Sequence, residues 1–362
     1  MQPINRPVLK SFEQVNPVAQ WLFPPARYTS QMQPVSATLP VSIVVTVLNE
    51  ARDIGRVIPS LLAQSPPAAE VIVVDGGSTD GTWEWLLGAL TSDPAADPRL
   101  IAIHDKTCSL KHSPGPVSRG RNVAIAAAKS RIIACADAGC TYAPDWLANL
   151  TEPLIAGRAD YALGGTCLDP GDHTVWDVAS APFFSIKLAP TEPTKSCTAR
   201  SMAFTRALWE RIGGFPESVL VGEDTLFDLA ARRLATPAFI SNAKALYSPR
   251  NTFRSAAHQM ARYALSDGQA RVRWSRLFRN VARCLLEIFA LLCLRFSLIP
   301  LFVVFALESW YAFHRDERYL VQFGPGALVA RFVFSVGVPW IVATNQIRGL
   351  FTRQPLTNRQ NM

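Results

Sequence analysis

The feature that most constrains the fold is a regular alternation of strand and helix patterns between residues 41 and 139. Four apolar runs rich in β-branched residues are typical of buried strands, at 41–48, 70–77, 99–105 and 131–139. Three stretches with helical spacing lie between them, at 51–64, 79–90 and 115–130. Short connections join the segments. This pattern predicts an α/β fold, a doubly wound and mostly parallel sheet with helices on both faces.

Acidic and amide side chains stand where these predicted strands end. Asn49 and Glu50 follow the first strand, Asp75 comes near the end of the second, and Asp137 near the end of the fourth. The carboxyl ends of parallel strands share one edge of the sheet, and ligands bind beyond that edge. A single aspartate there would be ordinary turn chemistry, because Asp favours turns. Three such strand ends together predict a binding site.

The C-terminal part of the chain is more apolar. The charged fraction is 18%, against about 25% in soluble proteins. Two segments, 284–307 and 326–344, are each long enough to cross an apolar layer about 30 Å thick. Three interpretations stay open: a membrane hairpin, helices lying in the membrane interface, and buried helices or an oligomer contact. Charges at Glu287, Arg295 and Arg331 oppose insertion.

The net charge of +8 is unevenly distributed, and five arginines occur in "RVRWSRLFRNVAR" (271–283) without any acid. This stretch is either a solvated helix face or a site of attraction to anionic lipid head groups. No nucleic-acid-binding module accompanies it, so no nucleic acid is expected as a partner. Arginines before the first apolar segment and after the second place both flanks of a hairpin in the cytoplasm.

The seven cysteines form no CxxC pair, and residues 1–40 lack a basic start followed by an apolar run. We therefore expect no secretory signal, reduced thiols and a cytosolic compartment. The five histidines are isolated from one another, which argues against a zinc site.

The chain is predicted to have three parts. Residues 1–40 are an irregular lead-in, 41–275 the main domain, and 276–362 a membrane-associated helical region. Within the main domain, 41–140 bind a nucleotide and 141–275 form an acceptor half, whose pocket the region 165–198 shapes. The second half is less regular. It predicts a strand, a helix and a Gly-Gly turn in 199–217, a helix in 222–235, and a helix in 254–274 interrupted at Asp267 and Gly268.

Six motifs occur in a definite order: "VTVLNE", "VIVVDGGSTDGT", "GPVSRGRN", "ADAG", "GGFPESVLVGEDTLF" and "QMARY". In order and approximate spacing they resemble those of the family-2 inverting glycosyltransferases. The resemblance covers about residues 41–275. It implies the GT-A fold and a nucleoside-diphosphate-sugar donor.

For donor binding, the resemblance assigns the nucleoside to the segment that contains Thr46, Asn49 and Glu50, and to Asp75, which accepts hydrogen bonds from the base or ribose. Arg121 and Asn122 lie on the helix beside the donor, unless that arginine belongs to a solvated face. Gly76 replaces a second acid that is common in the family, so the base preference stays open.

Asp137 takes the position of the metal-binding aspartate, with Mg²⁺ or Mn²⁺ as the cation. The usual Asp-x-Asp is incomplete, because Gly139 replaces its second acid. A decayed site is one interpretation. The other is a working site, because Mg²⁺ is often held by one or two carboxylates together with substrate phosphates and water.

Glu223 and Asp224 resemble the catalytic acid pair of the family, with Asp224 as general base and Glu223 as the alternative. Gln259, Arg262 and Tyr263 match a Gln-x-x-Arg-aromatic motif that contacts the diphosphate and lines the acceptor channel. A packed helix face is the other interpretation of that motif.

The sequence therefore predicts a membrane-associated inverting glycosyltransferase with a cytoplasmic catalytic domain. Its acceptor would be lipid-linked or an envelope polysaccharide. One alternative is a polyprenyl-phosphate glycosyltransferase. Another, of a different class, is a non-catalytic scaffold that binds nucleotide-sugars.

Overall fold

The computed structural model describes residues 38–91, 96–169, 173–184, 186, 198–247, 252–293, 297–313 and 325–352. The predicted lead-in lies outside the described residues apart from 38–40, as do parts of the acceptor-pocket region 165–198. The chain divides into two compact units. The larger unit holds the described residues of 38–169 and 198–247, and the smaller unit holds those of 173–186 and 252–352.

Eight strands form one sheet in the larger unit: β1 (Leu39–Val47), β2 (Ala68–Asp75), β3 (Leu100–His104), β4 (Ile132–Asp137), β5 (Cys140–Tyr142), β6 (Tyr161–Leu168), β7 (Met202–Thr205) and β8 (Ala238–Tyr247). Their order is β3-β2-β1-β4-β7-β6-β8-β5. The four predicted strands β1 to β4 are mutually parallel, and β6 is parallel to β8. Strand β7 is antiparallel to both β4 and β6, and β5 is antiparallel to β8.

The described helices are α1 (Ile54–Leu62), α2 (Thr82–Thr91), α3 (Pro116–Ala127), α4 (Trp146–Ile155), α5 (Val175–Ser180), α6 (Arg206–Ile212), α7 (Glu223–Ala231), α8 (Phe253–Gln269), α9 (Trp274–Cys293), α10 (Ile299–Phe313) and α11 (Pro325–Phe351). Helices α5 and α8 to α11 belong to the smaller unit. Helix α8 lies in the stretch that was predicted to be part of the acceptor half.

Strand β1 shows why the sheet is covered on both faces. Successive side chains of a strand point to opposite sides. Ile43 and Val45 pack in one apolar cluster with residues of α1, α2 and α4, whereas Val44 packs in a second cluster with residues of α3, α6 and α7. All three side chains are fully buried. The predicted doubly wound, mostly parallel α/β fold is confirmed.

The turn after α6 matches its prediction. Helix α6 ends at Ile212 and is followed by Gly213 and Gly214, whose φ angles of 85° and 87° lie in the left-handed region. Glycine has no Cβ and adopts this conformation without strain, which ends the helix and redirects the chain. The predicted strand, helix and Gly-Gly turn of 199–217 are therefore present as β7, α6 and this turn.

The predicted interruption at Asp267 and Gly268 is wrong, because α8 runs through both residues to Gln269. Asp267 is buried and accepts hydrogen bonds from Arg273 and Arg276. A Cβ on Gly268 would lie 2.0 Å from the carbonyl oxygen of Gln346, so this glycine permits close contact between α8 and α11. The break comes later, where Arg271 and Arg273 have positive φ.

The predicted apolar segment 284–307 is not one helix. Helix α9 ends at Cys293 and α10 begins at Ile299, so the apolar run is shared between two helices. The second segment, 326–344, lies within α11. Among the described residues, α11 is the one helix long and apolar enough to cross a membrane, and half of its most apolar window is buried. A predicted hairpin of two spans is therefore not what the described helices form.

Candidate active site

Three of the predicted site residues meet at the carboxyl edge of the sheet. In the parallel register of β1 with β4, Thr46 lies opposite Asp137. In the register of β1 with β2, Val47 lies opposite Asp75. Strands β2, β1 and β4 are adjacent, so their carboxyl ends bring Asp75, Thr46 and Asp137 to one edge.

Arg121 joins two predicted site carboxylates. Its side chain is 3% exposed. One terminal nitrogen, Nη2, donates to Asp137 Oδ1 at 2.7 Å, and the other, Nη1, donates to Glu223 Oε1 at 2.6 Å. The guanidinium carbon lies 5.4 Å from the centre of the Phe215 ring. The interpretation of Arg121 as part of a solvated helix face is excluded by this burial.

Helix α3 carries Arg121 close to the sheet because of the residue before it. A Cβ on Gly120 would lie 2.7 Å from Thr46 Cγ2, so a larger residue would push α3 away from β1. The planar guanidinium presents its donors in a fixed fork, which allows one side chain to hold two carboxylates at once.

The burial of this cluster shapes its electrostatics. Burial raises the pKa of Glu223, and the negative charge of Asp224 raises it further, while Arg121 acts in the opposite direction. Burial works to lower the pKa of Arg121, but Asp137 and Glu223 outweigh it and the pKa is raised. Arg121 therefore stays positively charged, and it offsets part of the negative charge around it.

Glu223 and Asp224 occupy the first turn of α7, and they differ in their partners. Gly222, with φ of 83°, precedes them and turns the chain into the helix. Glu223 is held by the buried Arg121. Asp224 is partly exposed, and its Oδ1 accepts a hydrogen bond from the Thr225 backbone N–H at 2.6 Å. The two adjacent acids are therefore in different environments.

Asp75 is fully buried at the end of β2. Its Oδ1 accepts hydrogen bonds from the backbone N–H groups of Gly77 and Ser78 at 2.8 and 2.9 Å. His104 Nδ1 lies 3.1 Å from the same oxygen. The other oxygen, Oδ2, is buried and has no hydrogen-bond partner among the described residues. Such an oxygen can accept a hydrogen bond from a water molecule or from a ligand.

The segment after β1 is tied to the loop that follows Asp75. Asn49 has a left-handed φ of 58°, and its side-chain oxygen accepts from the Thr79 backbone N–H at 2.9 Å. Its own N–H donates to Ser78 Oγ, and the N–H of Glu50 donates to Thr82 Oγ1, both at 2.8 Å. These bonds fix the shape of the loop beside Asp75.

The Asn122 side chain is hydrogen-bonded to residues around the Gly-Gly turn. Its Nδ2 donates to the Phe215 carbonyl and to Glu217 Oε1, at 2.9 and 3.0 Å. Its Oδ1 accepts from the Phe215 N–H at 2.8 Å and from Trp209 Nε1 at 3.3 Å. All four bonds hold the segment around the Gly-Gly turn. The structure thus places Asn122 beside the Phe215 that packs on Arg121.

The two glycines that replace family acids differ in the space around them. A Cβ on Gly76 would lie 2.4 Å from the Cys108 carbonyl oxygen, so no larger residue fits there without movement of the backbone. A Cβ on Gly139 would lie 3.5 Å from Tyr247 Cε2, which is ordinary van der Waals contact. The second acid is therefore excluded by packing at position 76 but not at position 139.

The donor set around Asp137 suits a cation that is also held by its substrate. Among the described residues, no group of three or more His, Cys, Asp or Glu side chains is placed to hold a metal ion. The Asp137 side chain is 33% exposed, and the Arg121 bond described above is made to Oδ1. One accessible carboxylate fits Mg²⁺ or Mn²⁺ that takes its other ligands from a diphosphate and water.

Gln259, Arg262 and Tyr263 lie on α8 in the smaller unit and are described there by themselves. Gln259 Nε2 donates to Tyr263 Oη at 2.9 Å, one helical turn further on. The Tyr263 ring meets Phe184 edge to face, and Arg262 is exposed. The motif is therefore a short polar and aromatic group on one helix.

Sequence reasoning missed His104 and Phe215. Phe215 belongs to the quoted "GGFPE" motif, so a bulky residue after two glycines was the available signal. His104 is the last residue of β3 and pairs with Asp75 in the register. Its position at a strand end was the signal, because Asp75 and Asp137 were found in the same way.

Comparison with known proteins finds similarity over the N-terminal part of this chain. Residues 42–213 match the family model described as Glycosyl transferase family 2. The chain is 38% identical over 145 residues to the succinoglycan biosynthesis protein ExoO of Rhizobium meliloti (strain 1021), covering 40% of this chain and 37% of that protein. It is 27% identical over 203 residues to the glycosyltransferase AglE of Haloferax volcanii, covering 52% of this chain and 60% of that protein.

A solved structure has a similar fold. The mannosyltransferase PcManGT from Pyrobaculum calidifontis, in complex with GDP-Man and Mn²⁺, superposes with a TM-score of 0.53 at 18% identity. The similarity covers 94% of this chain and 93% of that one. At this identity the likeness shows the GT-A-like fold, as predicted.

The predicted resemblance to glycosyltransferase family 2 is therefore confirmed over residues 42–213. The matched residues include Asp75, Arg121 and Asp137 but end before Glu223. The aligned regions span 37% and 60% of the lengths of ExoO and AglE.

Proposed function

We propose that this protein is a membrane-associated inverting glycosyltransferase. It moves a sugar from a nucleoside-diphosphate-sugar to an acceptor that is lipid-linked or an envelope polysaccharide. The observation that carries the proposal is that Asp137 and Glu223 both contact the same buried guanidinium, that of Arg121. Buried ion pairs are often no better for stability than apolar residues of the same size, which favours a functional reason for this one.

In this proposal the nucleoside of the donor lies against Thr46, Asn49, Glu50 and Asp75. Oδ2 of Asp75 is buried and has no hydrogen-bond partner among the described residues, which supports this placement because the base or ribose would supply a donor. A divalent cation held by Asp137 and the diphosphate would supply positive charge to the leaving group. Both Mg²⁺ and Mn²⁺ prefer the oxygen ligands that this arrangement offers.

Asp224 is the proposed general base. It accepts the proton of the acceptor hydroxyl while that oxygen bonds to the anomeric carbon of the sugar. The bond from the anomeric carbon to the diphosphate breaks on the opposite side, so the configuration inverts. Glu223 is bonded to Arg121 and holds that arginine in place, which leaves the proton transfer to its partly exposed neighbour.

Arg121 and Asn122 take different parts. Arg121 keeps Asp137 and Glu223 in position and balances their charge. Asn122 holds the Phe215 segment against Arg121, and both atoms of its amide are engaged in hydrogen bonds within the protein. We therefore propose Asn122 as a positioning residue within the donor site, rather than a direct contact of the nucleotide-sugar.

A lipid-linked acceptor agrees with the surface of the smaller unit. Large apolar side chains are exposed on α9 and α10, among them Leu285, Leu292, Ile299, Phe302 and Trp310. An exposed apolar surface of this extent marks a membrane or protein interaction site.

Polar groups of the same helices point inward instead. Arg283 Nε donates to Glu308 Oε1 at 2.9 Å, and Arg283 Nη2 donates to the Ser335 carbonyl at 2.7 Å. Apolar groups outside and paired charges inside are the arrangement that a lipid environment favours. The relative ExoO is named for succinoglycan biosynthesis, which supports an envelope acceptor.

The mode of attachment follows from the helix lengths. Helix α10 has 15 residues, fewer than the roughly 20 needed to cross a bilayer. We propose that α9 and α10 lie in the membrane interface and that the catalytic domain faces the cytoplasm. The arginines of 271–283 then lie near anionic lipid head groups. Gln259, Arg262 and Tyr263 are proposed to serve the diphosphate and the acceptor.

Flotation with liposomes tests the attachment. Phe302→Glu and Leu285→Glu place charges on the exposed apolar faces of α10 and α9. Leu110→Glu is the matched control, because Leu110 in the larger unit is about as exposed as these two side chains. We expect both helix variants to lose binding to liposomes of phosphatidylcholine with phosphatidylglycerol, and the control to float like the unmodified chain. Unchanged flotation of the helix variants would contradict this attachment.

Product analysis tests the reaction. The purified protein is incubated with UDP-, GDP- and dTDP-sugars, Mn²⁺, and membrane extract as the source of acceptor. Release of a nucleoside diphosphate with sugar transfer to the lipid or polysaccharide fraction supports the proposal. Transfer to polyprenyl phosphate alone would select the polyprenyl-phosphate glycosyltransferase. Nucleotide binding without hydrolysis or transfer would select the non-catalytic scaffold.

A further inference from the structure

We propose that Tyr142 is a positioning residue for the cation site, whose hydroxyl holds the backbone of Asp137 so that the carboxylate meets the cation. Tyr142 is the last residue of β5 (Cys140–Tyr142) and follows Asp137 by five residues. The inference rests on the proposed function, in which Asp137 holds a divalent cation together with the donor diphosphate.

The first step is that β4 loses one neighbouring strand just before Asp137. On one side, β4 stays in register with β1 as far as the pair of Thr46 and Asp137. On the other side, its antiparallel pairing with β7 ends at Cys135 and Met202. A residue of an antiparallel ladder exchanges both of its backbone hydrogen bonds with one opposite residue. Beyond Cys135, backbone groups that face this side need another partner.

The second step is that the Tyr142 hydroxyl bonds to both backbone groups of Asp137. The Asp137 N–H donates to Tyr142 Oη at 2.8 Å, and Tyr142 Oη donates to the Asp137 carbonyl oxygen at 3.4 Å. A hydroxyl both accepts and donates, so one side-chain oxygen takes the place of an opposite strand residue. Asp137 is thus held at its backbone by Tyr142 and at its carboxylate by Arg121.

The third step is that Tyr142 is itself fixed in place. It is 4% exposed, and it lies opposite Ala245 in the register of β5 with β8. Its ring packs against Trp146, with 4.3 Å between ring centres. Trp146 is fully buried, and its Nε1 donates to Ser201 Oγ at 2.8 Å. The hydroxyl is therefore a rigid point against which the backbone of Asp137 is held.

The orientation of Asp137 matters because it is the one acid proposed to hold the cation. Gly139 replaces a second acid, and the described residues include no group of three or more side chains placed to hold a metal ion. Affinity falls in proportion when the binding-competent state is only partly populated. Loss of the Tyr142 hydroxyl should lower the fraction of Asp137 side chains in the competent orientation, and so raise the requirement for the cation.

The test compares three variants. Tyr142→Phe removes the hydroxyl and keeps the ring against Trp146. Tyr161→Phe is the matched control, because Tyr161 is a fully buried tyrosine whose Oη donates to Asp228 Oδ1 at 2.9 Å. Asp137→Ala is the reference for loss of the cation site. Each is titrated by calorimetry with the one of UDP, GDP or dTDP that the unmodified chain binds, at a series of Mn²⁺ concentrations, and thermal melting shows whether it is folded.

We expect Tyr142→Phe to need about three to ten times more Mn²⁺ for half of the maximal nucleotide affinity, the effect of losing one hydrogen bond. At saturating Mn²⁺ its nucleotide affinity, and its kcat in a turnover assay, should approach those of the unmodified chain. Tyr161→Phe should melt at a lower temperature and keep the normal Mn²⁺ requirement. Asp137→Ala should bind nucleotide equally with Mn²⁺ and with a chelator.

Hydrogen exchange of the unmodified chain gives a second test, which does not depend on how a variant folds. Coupling is reciprocal, so a cation that binds better because of the Tyr142 hydroxyl must in turn strengthen the bond from the Asp137 N–H to that hydroxyl. Mn²⁺ with nucleotide should therefore slow exchange of the Asp137 amide. The Leu147 amide is the control, because it also donates to a side-chain oxygen, Gln64 Oε1, at 2.8 Å, and its exchange should stay unchanged.

Two results would overturn the inference while leaving the proposed function intact. One is a normal Mn²⁺ requirement in Tyr142→Phe, or an equal change in Tyr161→Phe, while Asp137→Ala loses metal-dependent binding. The other is exchange of the Asp137 amide that Mn²⁺ and nucleotide do not slow. If the folded, unmodified chain bound no nucleotide, or bound it without need of Mn²⁺, the proposed function would fail first, and the inference with it.

Discussion

Asp137 at the end of β4 and Glu223 at the start of α7 accept hydrogen bonds from opposite ends of one guanidinium, at 2.7 and 2.6 Å. The cation between them belongs to Arg121, which is almost fully buried. Arg121 thus links Asp137, which is proposed to bind a metal, to the acidic pair that is proposed to accept a proton. A substitution of Asp137, Arg121 or Glu223 should therefore alter the position and the charge balance of the other two side chains.

Arg121→Lys should fold but lose most transfer activity. A lysine ammonium keeps the charge, but it is a point donor and does not hold two carboxylates with the geometry of a guanidinium. Arg121→Gln leaves two neighbouring acids without their cation, and should destabilise the fold by about 3–5 kcal/mol. Chemical denaturation and initial rates measure the two effects. Equal activity of Arg121→Lys and the unmodified chain would show that the bridge has no part in the reaction.

Asp224→Asn should abolish transfer and spare donor binding, because the amide is nearly the same size but does not accept a proton. Glu223→Gln is the comparison variant. It loses the charge that faces Arg121, so we expect both lower stability and weaker activity. Single-turnover assays and donor titration separate the two variants. Retained transfer in Asp224→Asn, together with loss in Glu223→Gln, would move the role of general base to Glu223.

The two site glycines should respond differently to the same substitution. Gly139→Ala should change the free energy of unfolding by less than about 0.5 kcal/mol, because its Cβ has ordinary contacts. Gly76→Ala should be clearly destabilising, because its Cβ overlaps the Cys108 carbonyl. Gly139→Asp should then fold and bind Mn²⁺ more tightly, since it adds a second carboxylate beside Asp137. Unchanged Mn²⁺ affinity in Gly139→Asp would argue that Asp137 does not hold the cation.

Asn122→Ala should lower the free energy of unfolding by roughly 2 kcal/mol or more, through the loss of several partly buried hydrogen bonds. Because the amide of Asn122 already bonds to protein groups through both its oxygen and its nitrogen, the affinity of the folded variant for the donor should fall only slightly. Denaturation and calorimetry check both parts. A large loss of donor affinity at normal stability would make Asn122 a direct ligand contact, as the sequence first suggested.

Arg262→Ala should reduce donor turnover far more than it affects stability. The arginine is exposed on α8, so its removal breaks no buried contact, whereas a guanidinium binds phosphate through paired hydrogen bonds. Rates at saturating donor and thermal melting give the two quantities. An unchanged rate would remove Arg262 from the reaction and leave Gln259 and Tyr263 as a bonded pair within the helix.

Much of the parallel half of the fold was predictable from local sequence. Strands β1, β2 and β4 are runs of apolar residues with little exposure on either face. Their predicted ends placed Asp75 and Asp137 at one edge of the sheet, where the structure also has them. Strands β5, β6 and β8 were missed. Strand β6 contains Gly164 and Gly165, and β5 has only three residues, so neither carries a strong local strand signal. Their pairing depends on partners far along the chain.

The site shows the same division. Strand-end position and side-chain chemistry together selected the acids as candidates. The partners of Arg121 and Asn122 depend on how α3 packs, which local sequence does not determine. Both residues were predicted to bind the donor; in the structure Arg121 contacts two carboxylates and Asn122 contacts the Phe215 backbone, and their part in donor binding stays a prediction. The segment 284–307 misled for a different reason: hydropathy does not report where one helix ends and the next begins.

The most direct test of the account is calorimetric titration of the purified protein in detergent with UDP-, GDP- and dTDP-sugars. Each titration is made with Mn²⁺ and with a chelator, beside an Asp137→Ala variant. The account predicts tight binding of one donor that needs Mn²⁺ and is lost in Asp137→Ala. Failure of the folded, unmodified chain to bind any of these donors, or binding that neither the chelator nor the Asp137→Ala substitution weakens, would contradict it.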